Sequence, residues 1–178
     1  MTTRTLPQTG EKRENKLKYL TLTGLMAAMI TLMTAYICHI PTGINGGYIH
    51  FGDSLIYLAA ALLPTPYALA AAAIGGGLAD LLTSPLWMPA TIVIKMLIAL
   101  PFTCKSTKII TPRNVTASVI ACILSSIGYF IAEYLIFGTW AALIASISGS
   151  LIQSGGSAVF FIIIGLALDK THMKTKLL

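Results

Sequence analysis

Residues 134–168 read YLIFGTWAALIASISGSLIQSGGSAVFFIIIGLAL, a run of 35 positions without Asp, Glu, Lys or Arg. About 20 apolar residues, each rising about 1.5 Å, cross a hydrocarbon layer of about 30 Å. The run therefore holds one tilted membrane span with ends to spare. Further charge-free stretches precede it at 19–52, 54–79, 81–94, 96–104 and 114–132. The whole chain of 178 residues is 56% hydrophobic and 10% charged, with mean hydropathy +0.81. Soluble domains run near 45–50% apolar and about 25% charged, which excludes a soluble globular enzyme as the default. Disorder is excluded too, because it needs low hydrophobicity and high charge. The length suits about five or six crossings.

Breakers divide the apolar sequence. Pro41 with Gly43, Gly46 and Gly47 ends a first helix, and Pro64-Thr65-Pro66 separates a second segment from a third. Ser84-Pro85 and Pro89 precede a fourth, Pro112 a fifth, and Gly138 parts the fifth from the sixth. These marks predict an all-α polytopic membrane protein. It is a six-helix bundle with helices at 18–39, 53–63, 66–83, 89–103, 114–137 and 141–168. The second helix rises only about 16 Å. It must be re-entrant, tilted against its neighbours, or extended into the preceding loop. Residues 1–17 form a basic N-terminal tail, 18–169 the membrane domain and 170–178 a basic C-terminal tail. The N-terminal tail does not read as a cleaved signal, since its polar residues lead into further membrane segments.

The net charge of +6 is placed, not spread. Arg4, Lys12, Arg13, Lys16 and Lys18 precede the first helix; Lys105, Lys108 and Arg113 separate the fourth from the fifth; Lys170, Lys174 and Lys176 follow the sixth. The loops at 40–52, 84–88 and 138–140 carry no cation. With six crossings these basic segments share one side, and the positive-inside bias puts both termini in the cytoplasm of a cell membrane. The charge is thus a topology signal, and nucleic acid is not an expected partner.

Lys95 is the one cation outside that pattern, and Glu133 lies in an equally apolar stretch. Ionisable groups at such depth are costly and usually face a partner or a cavity. Lys95 is about 9 Å in from the start of the fourth helix and Glu133 about 6 Å from the end of the fifth, so both fall in the outer half. Either they pair with each other, or one or both line an outward-facing polar cavity and touch a solute, or they snorkel to the interface. Tyr129 shares the helix face of Glu133 at i, i+4. Gln153, beside Ser154, Gly155 and Gly156, faces a pocket or a neighbouring helix.

The loop from Pro41 to Asp53 mixes glycines with Asn45, Tyr48, His50 and Phe51. It is either a binding loop, in which glycines allow close approach and rings offer flat faces, or an aromatic belt with a turn. Asp53 reads as the N-cap of the second helix, and Asp80 closes the third against the helix dipole. Trp87 is an interface anchor or a stacking wall. Gly24 with Ala28, Ala27 with Thr31 and Ala35, and Gly75-Gly76-Gly77 are small faces that let helices meet closely, inside the chain or with another subunit.

Catalytic and metal signatures are missing. There is no phosphate-binding GxxxxGK[ST], no HExxH, and no CxxC among Cys38, Cys104 and Cys122. No catalytic residue, metal ligand or cofactor is expected. The functions in view are a subunit that captures a small solute, a stand-alone secondary transporter or channel, and, with least support, a membrane enzyme.

Five segments then carry a resemblance. Gly47-Tyr-Ile-His-Phe-Gly-Asp53, Ile74-Gly-Gly-Gly-Leu-Ala-Asp80, Pro89-Ala-Thr-Ile-Val-Ile-Lys95, Gly128-Tyr-Phe-Ile-Ala-Glu133 and Leu151-Ile-Gln153 resemble, in order, segments of the S components of energy-coupling factor (ECF) vitamin transporters. The likeness spans about residues 20–168 and is nearest the riboflavin, hydroxymethylpyrimidine and pyridoxine branch. It departs at Gly24, which stands where the first alanine of an AxxxA contact motif is usual. The resemblance implies capture of one vitamin or precursor from outside. It also implies delivery inward on docking to a transmembrane coupling subunit with two ATPases, which use the ATP. It points to Asn45, Tyr48, His50, Trp87, Lys95, Tyr129, Glu133 and Gln153 as ligand-binding and to Gly24 and Ala28 as the partner contact.

Overall fold

The computed structural model describes residues 9–37, 39–41, 48–138 and 141–177. Asn45 and the glycines at 43, 46 and 47 lie outside the described residues. The chain folds as an all-α bundle: α1 Thr9–Leu32, α2 Asp53–Leu62, α3 Thr65–Thr83, α4 Met88–Ala99, α5 Pro112–Phe137, α6 Ala141–Lys170 and α7 Met173–Leu177. A π-helical turn, Met33–Ile37, prolongs α1, and a 3₁₀ turn, Pro85–Trp87, leads into α4. Between α1 and α2 a minimal antiparallel ribbon pairs β1 (Ile40–Pro41) with β2 (Tyr48–Ile49). Arg13–Ile37, Thr65–Thr83, Pro112–Phe137 and Gly149–Lys170 are each long and apolar enough to cross a membrane, and α2 and Pro85–Ala99 are shorter apolar helices. The molecule is a multi-pass membrane protein.

Several boundaries differ from the sequence expectation. α1 begins at Thr9 rather than 18, because Glu11–Lys18 are straight-chain residues (with one Asn) that suit a helix beyond the apolar part. The C-terminal tail contributes α7. α4 stops at Ala99, not 103, since Pro101 has no N–H with which to continue the ladder. α5 starts at Pro112, two residues before the expected 114: Thr111 caps it, its Oγ1 accepting from the Asn114 N–H at 3.2 Å. It ends at Gly138, whose φ of 66° is a left-handed C-cap that glycine adopts without strain.

α2 explains the short second helix. All ten of its residues are buried, and it packs against α1, α3, α4 and α6. It is the axis of the bundle, not a member of its rim, so it never meets lipid and need not match the hydrocarbon thickness. The rim runs α1–α3–α4–α5–α6 by contact. Glycines permit the tightest meetings. A Cβ on Gly75 would meet Ile30 Cβ at 2.7 Å in α1; on Gly76, Lys95 Cγ at 2.8 Å; on Gly77, Ile92 Cγ1 at 2.8 Å. The triple-glycine face of α3 therefore serves internal packing against α1 and α4. Ala27, Thr31 and Ala35 also turn inward, with Thr31 Oγ1 donating to Ala27 O at 2.9 Å or Gly75 O at 3.1 Å. Gly24 and Ala28 are exposed on the opposite face of α1.

One end of the bundle gathers the basic segments. Asp169 at the end of α6 accepts from the Ile109 and Ile110 N–H groups at 2.7 and 2.9 Å. Asn114 of α5 accepts from Thr103 N–H at 3.0 Å and donates to Ile109 O at 2.9 Å. Lys174 of α7 donates to Ala61 O at 2.7 Å, closing the carbonyl end of α2 with a cation. Burial holds that ammonium below the usual lysine range. Leu177 lines a small apolar crevice with Leu22 and Met26 from the middle of α1, so the part of α1 that precedes them leads out at this end too.

Candidate functional site

Away from the basic end, α2 starts inside the bundle with a carboxylate. The N-cap is Gly52, without a side-chain cap bond, and Asp53 is the first helical residue. That corrects the reading of Asp53 as an N-cap. Its position in the first turn still favours a negative charge through the helix dipole, but its side chain reaches across the bundle. Oδ1 accepts from Lys95 Nζ of α4 at 2.6 Å, and Oδ2 accepts from Gln153 Nε2 of α6 at 3.2 Å. The ion pair open to Lys95 is therefore made with Asp53. Both side chains are out of water, 1% and 0% exposed. A pair this buried is held by geometry and added hydrogen bonds, because desolvation offsets much of the attraction.

The chain just before α2 is tied into the same cluster. The His50 N–H donates to Gln153 Oε1 at 3.3 Å, and the Gly52 N–H donates to His50 Nδ1 at 3.0 Å. That second bond makes Nδ1 an acceptor and fixes the proton of the neutral ring on Nε2. Gly52 must be glycine, because a Cβ there would overlap Thr34 Oγ1 in the π-turn. One carboxamide, Gln153, thus bridges the loop backbone and the ion pair. Phe51 continues the attachment, stacking on Phe160 of α6 with centroids 5.1 Å apart, and Gly156 leaves the room its ring fills.

An aromatic wall stands on the other side. Lys95 Nζ lies 5.2 Å from the centroid of the Tyr129 ring in α5, within cation–π range. Tyr129 Oη and Thr91 Oγ1 are 3.1 Å apart in a hydrogen bond. Trp87 meets Tyr129 edge-on at 6.1 Å and Phe137 at 5.9 Å. Gly128, beside Tyr129, is tight against Ile94 of α4, which sets the α4–α5 spacing.

The structure therefore brings His50, Trp87, Lys95, Tyr129 and Gln153 into one connected group. Glu133 is buried one turn along α5 from Tyr129. Tyr48 is placed only as a residue of β2, paired with Pro41, and Asn45 lies outside the described residues. Asp53 is the member that the sequence reading missed. Its signal was available: a carboxylate opening an apolar helix, in a chain with one lysine at similar depth. Asp80 is buried in the last turn of α3, within electrostatic reach of Lys95 and Tyr129. No group of three or more His, Cys, Asp or Glu residues suited to a metal occurs among the described residues.

The model of the family described as "ECF-type riboflavin transporter, S component" matches residues 14–170. The chain belongs to that family. An S component is a transporter's substrate-binding subunit and not an enzyme. Comparison with the curated proteins finds no match. Among solved structures, one described as "Structure and mechanism of the S component of a bacterial ECF transporter" superposes with a TM-score of 0.70 at 17% identity, covering 88% of this chain and 98% of its own. At that identity the likeness concerns the fold, and it accounts for the helical arrangement of this S component.

Proposed function

We propose that this S component captures a small vitamin or vitamin precursor, a B-vitamin-like heterocycle, from outside the cell membrane. It hands the solute inward when docked to a transmembrane coupling subunit carried by two ATPases, which use the ATP. The observation that carries the reading is the Asp53–Lys95–Gln153–His50 cluster. It ties the β1–β2 segment to α2, α4 and α6 beside the aromatic wall of Trp87 and Tyr129. Flat rings and compensated charges suit a polar heterocycle. Glu133, Tyr48 and Asn45 belong to the same proposed pocket. The basic segments gather at the opposite end, so the positive-inside bias turns the cluster outward and leaves both termini in the cytoplasm. Exposed Gly24 and Ala28 offer a close-packing face to the coupling subunit.

The test is purification of the chain alone, followed by mass spectrometry of what is retained. Titration then uses riboflavin first, for the family's description, and pyridoxine, hydroxymethylpyrimidine and queuine beside it. A tightly held heterocycle, together with recovery of a coupling subunit and ATPases on pull-down, supports the proposal. Uptake that persists in cells lacking those ATPases would instead identify a stand-alone secondary transporter or channel.

A further inference from the structure

The C-terminal helix α7 takes no part in the cluster around Asp53, yet it is anchored to the other end of the same helix. α2 stops abruptly. The Leu63 N–H bonds Ala59 O at 2.8 Å, and the chain enters α3 at Thr65, the residue whose N–H would have continued the ladder to Ala61 O. Lys174 of α7 fills that place, with Nζ donating to Ala61 O at 2.7 Å. Three positions on, Leu177 shares an apolar crevice with Leu22 and Met26 of α1 and with Leu62 and Leu63 at the end of α2. α7 thereby straps the axis of the bundle to α1.

The attachment is weak by construction. α7 has five residues, too few for a helix that holds itself together. It joins α6 through His172, whose φ of 52° makes it the one described non-glycine residue in the left-handed region, where a side chain meets backbone strain. Lys174 is 5% exposed, and among the described residues no carboxylate lies within ion-pair distance of it. A buried ammonium held by a carbonyl alone regains its hydration on leaving, and Ala61 O, at the basic end of the bundle, then meets water as well. Opening therefore strands no charge, whereas loss of either partner from the Lys95–Asp53 pair does.

We propose that α7 is a releasable strap. Closed, it clamps the basic end of α2 to α1 through Lys174 and Leu177. Delivery of the captured solute requires it to swing away about His172, which uncovers the crevice and frees the end of the axial helix. The part concerning delivery rests on the function proposed above, in which the basic end faces the cytoplasm. The opening of the strap does not.

Two tests use the full chain with Cys38, Cys104 and Cys122 replaced by alanine. In the first, Leu62→Cys sets a thiol in the crevice wall, at a position 6% exposed. Its labelling by a water-soluble maleimide is timed in detergent, with and without Lys174→Glu. The carbonyl end of α2 repels a carboxylate, so the strap opens, and labelling, which follows the population of the open form, should speed up about tenfold or more while melting stays close to that of the parent. Unchanged labelling, or a sharp fall in melting, would make α7 a fixed part of the bundle and overturn the proposal. In the second, Leu22→Cys/Leu177→Cys is bridged in cells by a membrane-permeant bis-methanethiosulfonate and freed with dithiothreitol. Riboflavin binding should be unchanged by the bridge, and riboflavin uptake should be lost on bridging and return on reduction. Uptake that continues through the bridge overturns the strap's part in delivery. If the parent takes up no riboflavin, the failure is that of the solute assignment, and the labelling test decides the strap alone.

Discussion

Lys95 Nζ of α4 lies 2.6 Å from Asp53 Oδ1 at the start of α2, with both side chains closed off from water. The bond joins the rim of the bundle to its axis. Removing one partner leaves the other as an uncompensated buried charge, which costs about 3–5 kcal/mol. Lys95→Met and Asp53→Asn are each expected to lower the melting temperature sharply. The double variant should recover much of the loss, since no charge is stranded. A thermal-melting cycle in detergent checks this. Equal and additive losses would mean that the two side chains act separately.

Gln153 is the hinge of the candidate site, with its amide nitrogen on Asp53 and its amide oxygen on the His50 N–H. Gln153→Leu keeps the size and deletes both bonds. The segment before α2 then loses its hydrogen bond to α6 and keeps only the stack of Phe51 on Phe160, and solute affinity should fall about tenfold or more. Gln153→Glu should do as much damage, by setting a second carboxylate against Asp53. The check is titration with whichever heterocycle the wild-type chain retains.

Much of this architecture was readable before any coordinates. Charge-free runs and proline or glycine breaks located the helices, and Gly138 parted α5 from α6 at the position where a left-handed residue is required. The site was half legible. Depth arithmetic found Lys95 because a lone lysine in an apolar segment has few explanations. The partner could not be found that way. Asp53 sits at a helix start, where a capping role is the ordinary reading, and depth was counted only for Lys95 and Glu133. α2 begins inside the bundle, and only packing on all sides reveals that. The small-residue faces were likewise ambiguous in sequence, because Gly24 and Gly75 read alike until one is seen exposed and the other against Ile30.

That contrast between glycines is testable. Gly76→Ala would bring a Cβ within 2.8 Å of Lys95 Cγ, displacing the side chain that meets Asp53. Lower melting and weaker solute binding are expected together. Nothing lies within 4 Å of a Cβ on Gly24, so Gly24→Ala should leave melting unchanged. Gly24→Trp should also spare folding and solute binding, yet abolish recovery of a coupling subunit on pull-down and uptake in cells. If Gly24→Trp is taken up and pulled down like wild type, the exposed face of α1 is not the docking surface.

At the basic end the structure relies on one carboxylate holding two backbone N–H groups. Asp169 accepts from Ile109 and Ile110 at 2.7 and 2.9 Å, and Asn114 pins the same connection from α5. Hydrogen bonds to a charged acceptor are each worth about 1.5–3 kcal/mol, discounted here because the surroundings are only part-buried. Asp169→Asn keeps one good acceptor and removes the charge, so a loss of about 1–2 kcal/mol is expected. The connection between α4 and α5 should then exchange its amide hydrogens faster, with Ile109 and Ile110 the most affected. Solute affinity should stay near wild type, because the carboxylate lies at the end of the bundle away from Lys95. Hydrogen exchange read peptide by peptide, beside one binding isotherm, distinguishes this local loosening from a collapse of the whole bundle, in which protection along α2 would fall as well.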